Sequence, residues 1–559
     1  MPDNPLIIQS DLTVLVELRS PRYAEARDAL AVFAELVKSP EHIHTYRITP
    51  LSIWNACAAG MKPKAILATL QNFARYEVPA VVTTKVTDWA SRYGKLQLVR
   101  RKNKLVLELK DPKLKTLLLE EKSVRQFFTE LSESNAASPA FEIYPDHRGL
   151  LKQALIKFGY PLEDIAGYRE GKAFDITLRS ETAREKMPFA LRDYQEEAVA
   201  QYHAGGSARG GSGVIVLPCG AGKTIVGLAS MAQVGARTLI LTTNTTSARQ
   251  WVAEILDKTN VAAEDVGEYT GNQKRICPVT VATYQILTWR ESRDDDFRHL
   301  HLFNDSDWGL IIYDEVHLLP APVFQITAGL QARRRLGLTA TLVREDGREE
   351  DVFALIGPKK ADVPWKVLEN KGWIAQAECH EMRVSLAEDL RMPYAIAPKR
   401  NKFRIASENP AKHAIVTRLV SHHSQEQILI IGMYVDQLKA LSEELEVPLI
   451  TGSLSQKRRD VLFNSFRGGE LRVLVVSKVA NFAVDLPDAA VAIQVSGTFG
   501  SRQEEAQRLG RILRPKGGAN RAWFYSLVTA DTVEQDFALK RQMFLCEPGY
   551  DYQIIDTEP

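Results

Sequence analysis

Two short apolar runs that end in charged turns constrain this chain more than anything else in it. Residues 214–217 (Val-Ile-Val-Leu) lead into Pro218-Cys219-Gly220-Ala221-Gly222-Lys223-Thr224, and residues 310–312 (Leu-Ile-Ile) lead towards Asp314-Glu315-Val316-His317. A buried strand ending in a glycine-rich turn can aim backbone N–H groups at a polyphosphate. A second strand ending in Asp-Glu can hold magnesium and a water beside it. Lys223 then neutralises the β- and γ-phosphates, Thr224 and Asp314 take the magnesium, and Glu315 orients and deprotonates the attacking water. Taken singly, Gly-Lys-Thr is a common tripeptide and Asp-Glu a common helix start. Their shared position at strand ends, about ninety residues apart, joins them into an ATP-hydrolysing site. The first glycine of the strict G-x-x-x-x-G-K-T pattern is absent, and Leu217 stands in its place.

Around both motifs, short apolar runs alternate with helical patterns, as a parallel α/β sheet requires. Strands are expected at 214–217, 238–241, 279–282, 310–313 and 335–338, and a second set at 427–433, 447–450, 473–476 and 491–495. Helices fit between, for example over 435–445 and 456–466, and a further helix over 194–203 precedes the first strand. Two such sets mean two similar lobes, expected over 186–360 and 426–559, with 361–425 as an inserted element and linker. Residues 1–110 read as helices near 24–38, 63–76 and 86–93 followed by a hairpin around Lys102-Asn103-Lys104. That is the outline of a winged helix, which either binds DNA or packs on other domains. Residues 111–185 read as a small unit with a helix over 113–131, a strand over 141–144 and a helix over 149–158.

At 559 residues several cores are required. No apolar run approaches the roughly 18 residues that span a bilayer, and the first nine residues carry Asp3 and no basic stretch, unlike an export signal. The five cysteines are scattered without a CxxC pair, which argues against a disulfide framework, a zinc module or an iron–sulfur cluster and suits a reducing cytoplasm. With a formal net charge of +2, any phosphate-binding surface must be local. Arg100-Arg101-Lys102, Arg333-Arg334-Arg335 and Lys457-Arg458-Arg459 are such spots, each equally readable as a solvated turn.

Arg192 and Gln195 lie just ahead of the first motor strand, and a glutamine carboxamide offers a donor and an acceptor suited to an adenine edge. Late in the chain, Gln507-Arg508-Leu509-Gly510-Arg511-Ile512-Leu513-Arg514 sets Arg511 and Arg514 three apart, so both guanidinium groups can project from one helix face. Planar guanidinium groups suit charge developing on a γ-phosphate. A helix salt-bridged through Glu504 and Glu505 is the plainer alternative.

In this order, Leu191 to Gln195, Leu217 to Thr224, Thr242 to Thr245, Val281 to Gln285, Asp314 to His317, Thr339-Ala340-Thr341 and Gln507 to Arg514 resemble the superfamily-two DNA helicases and, within them, the XPB branch. Arg344-Glu345-Asp346 matches a motif characteristic of that branch that lies near the DNA, and Leu217 is expected there. The resemblance implies two RecA-like lobes with ATP and magnesium in the cleft between them. It implies arginine fingers at Arg511 and Arg514, and Asp485 in a fifth motif that carries Ala480 and Asn481 where glycine and an acidic residue are also common. It further implies DNA-backbone contacts near Thr243, Asn244 and Thr283, and coupling through His317, Thr339, Thr341, Arg344, Glu345, Asp346, Gln507 and Arg508. Residues 111–185 would be a damage-recognition-like domain, and the segment after Arg344 would hold a thumb-like element. The implied activity is 3′-to-5′ movement on DNA at a single-strand/duplex junction, in repair, by a monomer without a membrane. Archaeal forms of the branch work with a nuclease. The alternative is an ATP-driven factor that remodels duplex DNA without processive unwinding.

Overall fold

The computed structural model describes residues 4–38, 42–101, 104–130, 139–144, 147–166, 171–206, 210–218, 220–291, 299, 307–319, 334–340, 349–363, 365–477, 489–497, 520–546 and 551–557. The chain opens with β1 (Leu6–Ile8), β2 (Thr13–Glu17), α1 (Tyr23–Leu30), β3 (Glu35–Lys38) and β4 (Ile43–Arg47), followed by α2 (Pro50–Ala58), α3 (Pro63–Phe73) and α4 (Ala80–Arg92). The four strands pair antiparallel in the order β1-β2-β4-β3. The helix expected over 24–38 ends at Leu30, and the chain then extends to pair with β4. Helix α2 begins at a reciprocal cap, in which Thr49 and Ser52 exchange side-chain-to-backbone hydrogen bonds of 3.0 and 3.1 Å ahead of Pro50.

The hairpin expected as the wing of this domain belongs elsewhere. Strands β5 (Leu96–Arg101) and β6 (Lys104–Leu109) form the middle of a second sheet, of order β7-β8-β6-β5-β9, with β7 (Phe128–Glu130), β8 (Ala140–Ile143) and β9 (Leu162–Asp164). The reason is in the alternation. Leu96, Leu98, Leu105, Leu107 and Leu109 are all buried, and a two-stranded wing offers them no cover. They share a core with Leu114 and Leu118 of α5 (Leu114–Glu120) and with Leu151 and Leu155 of α7 (Arg148–Lys157). The single helix expected over 113–131 is α5, the short α6 (Lys122–Arg125) and then β7. From residue 172 onward the chain has left this unit. Lys172, Phe174 and Arg179 donate backbone hydrogen bonds to Asp307, Gly235 and Lys258, so the stretch lies on the first motor lobe rather than in a unit reaching 185.

The first lobe comprises α8 (Asp193–His203), β10 (Ser212–Val216), α9 (Lys223–Val234), β11 (Thr238–Thr242), α10 (Thr245–Lys258), β12 (Val266–Tyr269), β13 (Val279–Thr283), α11 (Tyr284–Leu287), β14 (Leu310–Asp314), β15 (Arg334–Thr339), α12 (Glu349–Leu355), β16 (Lys359–Asp362) and α13 (Trp365–Asn370). Its seven strands are all parallel, in the order β12-β13-β11-β14-β15-β10-β16. Because β10 and β14 flank β15, the two motifs of the sequence emerge one strand apart on the same edge of the sheet.

The second lobe repeats the plan. Its strands are β17 (Gln376–Val384), β18 (Ile428–Gly432), β19 (Leu449–Ile450), β20 (Val473–Ser477), β21 (Val491–Gln494), β22 (Arg521–Thr529) and β23 (Asp551–Thr557). They form a parallel sheet of order β19-β20-β18-β21-β22-β17-β23. Its helices are α14 (Glu388–Ile396), α15 (Lys399–Ser407), α16 (Ala411–His422), α17 (Val435–Glu444), α18 (Gln456–Arg467) and α19 (Val533–Cys546). Residues 361–425 are therefore not an insertion between the lobes. Lys359–Asp362 closes the first sheet, and Gln376–Val384 lies inside the second, paired on both sides. The mixed sequence Gln-Ala-Glu-Cys-His-Glu-Met-Arg-Val hid that strand, since a strand flanked on both edges needs apolar contacts only where its faces are covered.

Apolar packing joins the units. Leu51 and Trp54 of α2, Ile156 of α7, and Phe353 and Ala354 of α12 form one small core, and the Asn55 side chain accepts the Lys359 N–H at 3.1 Å. The first two units are thus seated on the first lobe by apolar packing. Among the described residues no helix is long and apolar enough to cross a membrane.

Candidate active site

Strand β10 ends at Val216, and the Leu217 N–H continues the ladder to the Thr339 carbonyl at 2.9 Å with its side chain fully buried. The position that breaks the strict glycine pattern is thus a core residue just past the strand end. The turn follows, with Gly220 at φ 80° and Gly222 at φ 79°. An L side chain at Gly222 would be strained there, and its Cβ would sit 2.6 Å from the Gln195 amide nitrogen. Helix α9 starts at Lys223, so its unpaired N–H groups and Thr224 stand at the mouth of the turn.

Across from it, Glu315 follows the end of β14 in a left-handed conformation (φ 49°, ψ 56°), which a non-glycine residue holds only at a cost repaid by its surroundings. That geometry turns its carboxylate onto Lys223, with Nζ to Oε1 2.7 Å. His317 Nδ1 lies 2.6 Å from the Thr339 hydroxyl and 3.5 Å from Glu315 Oε2. Burial alone would raise the Glu315 pKa. The Lys223 charge, with help from His317 and the Ala340 N–H, overrides it and holds the carboxyl below its ordinary value. Asp314 goes the other way. Burial and the neighbouring Glu315 charge push it up to about 6, opposed by a hydrogen bond from Trp251 and by Lys223. Two adjacent carboxyls are thus driven apart in acidity by unequal access to one lysine.

Gln195, expected at an adenine edge, is buried and committed. Its Nε2 donates to the Ala221 carbonyl at 3.1 Å, and its Oε1 accepts the Arg192 N–H at 3.0 Å. The Arg192 guanidinium reaches Tyr194 Oη and the Trp373 carbonyl, both at 3.3 Å, and lies over the Trp373 ring. Asn244 caps α10 by accepting the Ser247 N–H at 2.9 Å, and Thr283 caps α11 from a buried position. In this structure, therefore, two of the residues the family resemblance placed near DNA, Asn244 and Thr283, start helices, and the Thr243 hydroxyl accepts from Asn244 Nδ2 at 3.2 Å. Lys223, Asp314, Glu315, His317 and Thr339 are brought together, and Pro218, Ala221 and Thr224 flank Lys223 in the turn and helix start. Cys219, Thr341, Arg344, Glu345, Asp346, Asp485, Gln507, Arg508, Arg511 and Arg514 lie outside the described residues.

Three side chains escaped the reading of the sequence. Tyr194 Oη donates to the Ala221 carbonyl at 2.7 Å, Trp251 Nε1 to Asp314 Oδ2 at 2.9 Å, and Tyr284 Oη to the Asp314 carbonyl at 2.8 Å. An aromatic residue on a helix signals packing, and nothing local says where its one polar atom points.

The donor set suits magnesium and a polyphosphate. A hydroxyl and a carboxylate supply hard oxygen ligands, two left-handed glycines open the backbone, and a lysine balances the charge. An acid limb follows from Asp314. With Asp314 as a ligand, a proton would compete with the metal below about pH 6, and the magnesium needed for half-saturation should rise about tenfold per pH unit. Above that value it should stay flat. Metal titrations at pH 5, 6, 7 and 8 check this, and an affinity independent of pH would remove Asp314 from the ligands.

Two parallel-sheet lobes, the first carrying a phosphate loop beside an Asp-Glu strand end, define a two-lobed helicase motor. A family model described as ERCC3/RAD25/XPB C-terminal helicase matches residues 368–559, one described as helicase conserved C-terminal domain matches 6–133, and one described as type III restriction enzyme, res subunit, matches 188–344. The first match begins just before β17, where the second sheet starts. The chain is 52% identical to the DNA 3′-5′ helicase XPB of Kineococcus radiotolerans, over 100% of this chain and 97% of that one. It is 50% identical to the protein of that name from Mycobacterium tuberculosis, over 100% and 99%. It is 33% identical to the general transcription and DNA repair factor IIH helicase/translocase subunit XPB of Enterocytozoon bieneusi, over 99% and 93%. The chain belongs to the XPB helicase family.

Proposed function

We propose that this chain is an ATP-dependent 3′-to-5′ DNA helicase or translocase that opens DNA at single-strand/duplex junctions, in repair of the nucleotide-excision type. The Lys223–Glu315 ion pair beside Asp314 carries the chemical half of this reading. The pair is self-neutralised, so an incoming polyphosphate must take Lys223 from Glu315. Glu315, released, is then the acceptor for a proton from the attacking water. Thr224 and Asp314 would hold magnesium, which when bound would neutralise charge on the phosphates. His317 Nδ1 hydrogen-bonds the hydroxyl of Thr339, the last residue of β15, at 2.6 Å and lies 3.5 Å from Glu315 Oε2, so it would carry a change at Glu315 into the strand that leads to Arg344, Glu345 and Asp346. Arg511 and Arg514 would complete the site from the second lobe when the cleft closes.

The directional half rests on the relatives' names. Forked duplexes with a 3′ or a 5′ tail and labelled strands test it. The expected result is ATP-dependent strand release from the 3′-tailed fork alone, abolished by Lys223→Ala. Hydrolysis stimulated by duplex without release from either fork would favour a remodelling factor instead. The thiols of Cys57 and Cys277, unpaired with other cysteines among the described residues, suit a cytoplasmic setting. A nuclease partner is part of the same reading, and unwinding measured with and without candidate nucleases tests it.

A further inference from the structure

Trp251, in the second turn of α10, is 2% exposed and spends its only polar atom on a carboxylate. Its ring is keyed into α9 one turn past the phosphate loop, because a Cβ at Gly227 would lie 2.4 Å from Trp251 Cη2. The indole therefore has little freedom to turn, and its N–H meets Asp314 Oδ2 at 2.9 Å. The Asp314 main chain is pinned separately by Tyr284 Oη. A carboxylate held at its backbone and at one oxygen has a set rotation about its last bond.

We propose that Trp251 is a positioning residue for the magnesium site, its indole N–H fixing the rotation of the Asp314 carboxylate towards the metal. This rests on the assignment of Asp314 as a magnesium ligand. Partners that orient a ligating carboxylate typically contribute 10–100-fold to metal affinity. Phenylalanine keeps a ring against Gly227 and removes the N–H, leaving Asp314 Oδ2 without that donor.

The test measures Mn²⁺ binding by electron paramagnetic resonance to the full chain with ADP, for the unmodified protein, Trp251→Phe and Asp314→Asn. The expected result is a Kd raised about 10–100-fold in Trp251→Phe and a larger loss in Asp314→Asn. Native affinity in Trp251→Phe, together with loss in Asp314→Asn, overturns the positioning role while keeping the site. Native affinity in both overturns the site assignment itself. A second measurement needs no variant. With ¹⁵N-labelled indoles, one of the eight tryptophan N–H signals should shift when Mg²⁺ is added to the ADP complex and stay in place when it is withheld. Eight unmoved signals would overturn the proposal.

Discussion

Glutamine in place of Glu315 is expected to leave ATP binding near native strength and to slow hydrolysis by about 10²–10⁴-fold. The amide oxygen can still accept from Lys223, so the turn keeps its shape, but an amide cannot take the proton of the attacking water. The pairing at 2.7 Å adds a second expectation. Phosphates that enter the native site compete with a full carboxylate charge for Lys223, and in the variant they compete with a dipole. Binding should thus hold or tighten while turnover collapses. Titration with a fluorescent ATP analogue and a phosphate-release assay separate the two, and native turnover in Glu315→Gln would remove Glu315 as the base.

The largest stability effect is expected in the second lobe. Lys412 and Glu534 are both fully buried, with Nζ 2.9 and 2.8 Å from the two carboxylate oxygens. Lys412 also donates to the carbonyls of Val495 and Ser407, and Glu534 accepts the Thr529 N–H at 2.9 Å. Removing one partner strands an unpaired charge in the core, so Lys412→Met should cost about 3–5 kcal/mol. Replacing both, with Lys412→Met and Glu534→Gln, should return most of it, since the carboxamide still accepts from Thr529. Hydrogen exchange in β18, β21 and β22 reads this locally, which suits a chain of several domains. Undiminished protection in the single variant would mean that the pair contributes no net stability. Val495 directly follows β21 on the way to the segment bearing Arg511 and Arg514, so the pair also anchors the root of that segment.

Much of the motor was legible before folding. Strands at 238–241, 279–282 and 310–313 were placed to within a residue or two, because central parallel strands are covered on both faces and read as unbroken apolar runs. The strands that escaped, Gln376–Val384 and Asp551–Thr557 among them, mix charged residues with apolar ones. The leucine hairpin 96–109 was legible as a hairpin and misassigned to a domain, since alternation states that one face is buried and not what buries it.

The candidate site divides along the same line. Lys223, Thr224, Asp314 and Glu315 are legible as candidates from residue type and strand-end position, because glycine turns and paired carboxylates are local requirements of phosphate chemistry. Their partners depended on residues far apart in sequence. Gln195 grips Ala221 and Trp251 grips Asp314, across 26 and 63 residues. The order of strands, which sets β10 and β14 on either side of β15, brings Lys223 to Glu315, and the helices packed on those strands bring Gln195 and Trp251 to their partners. The sequence by itself determined which atoms can perform the chemistry. The tertiary structure decided their charge states and orientations, because burial and a shared lysine act through space.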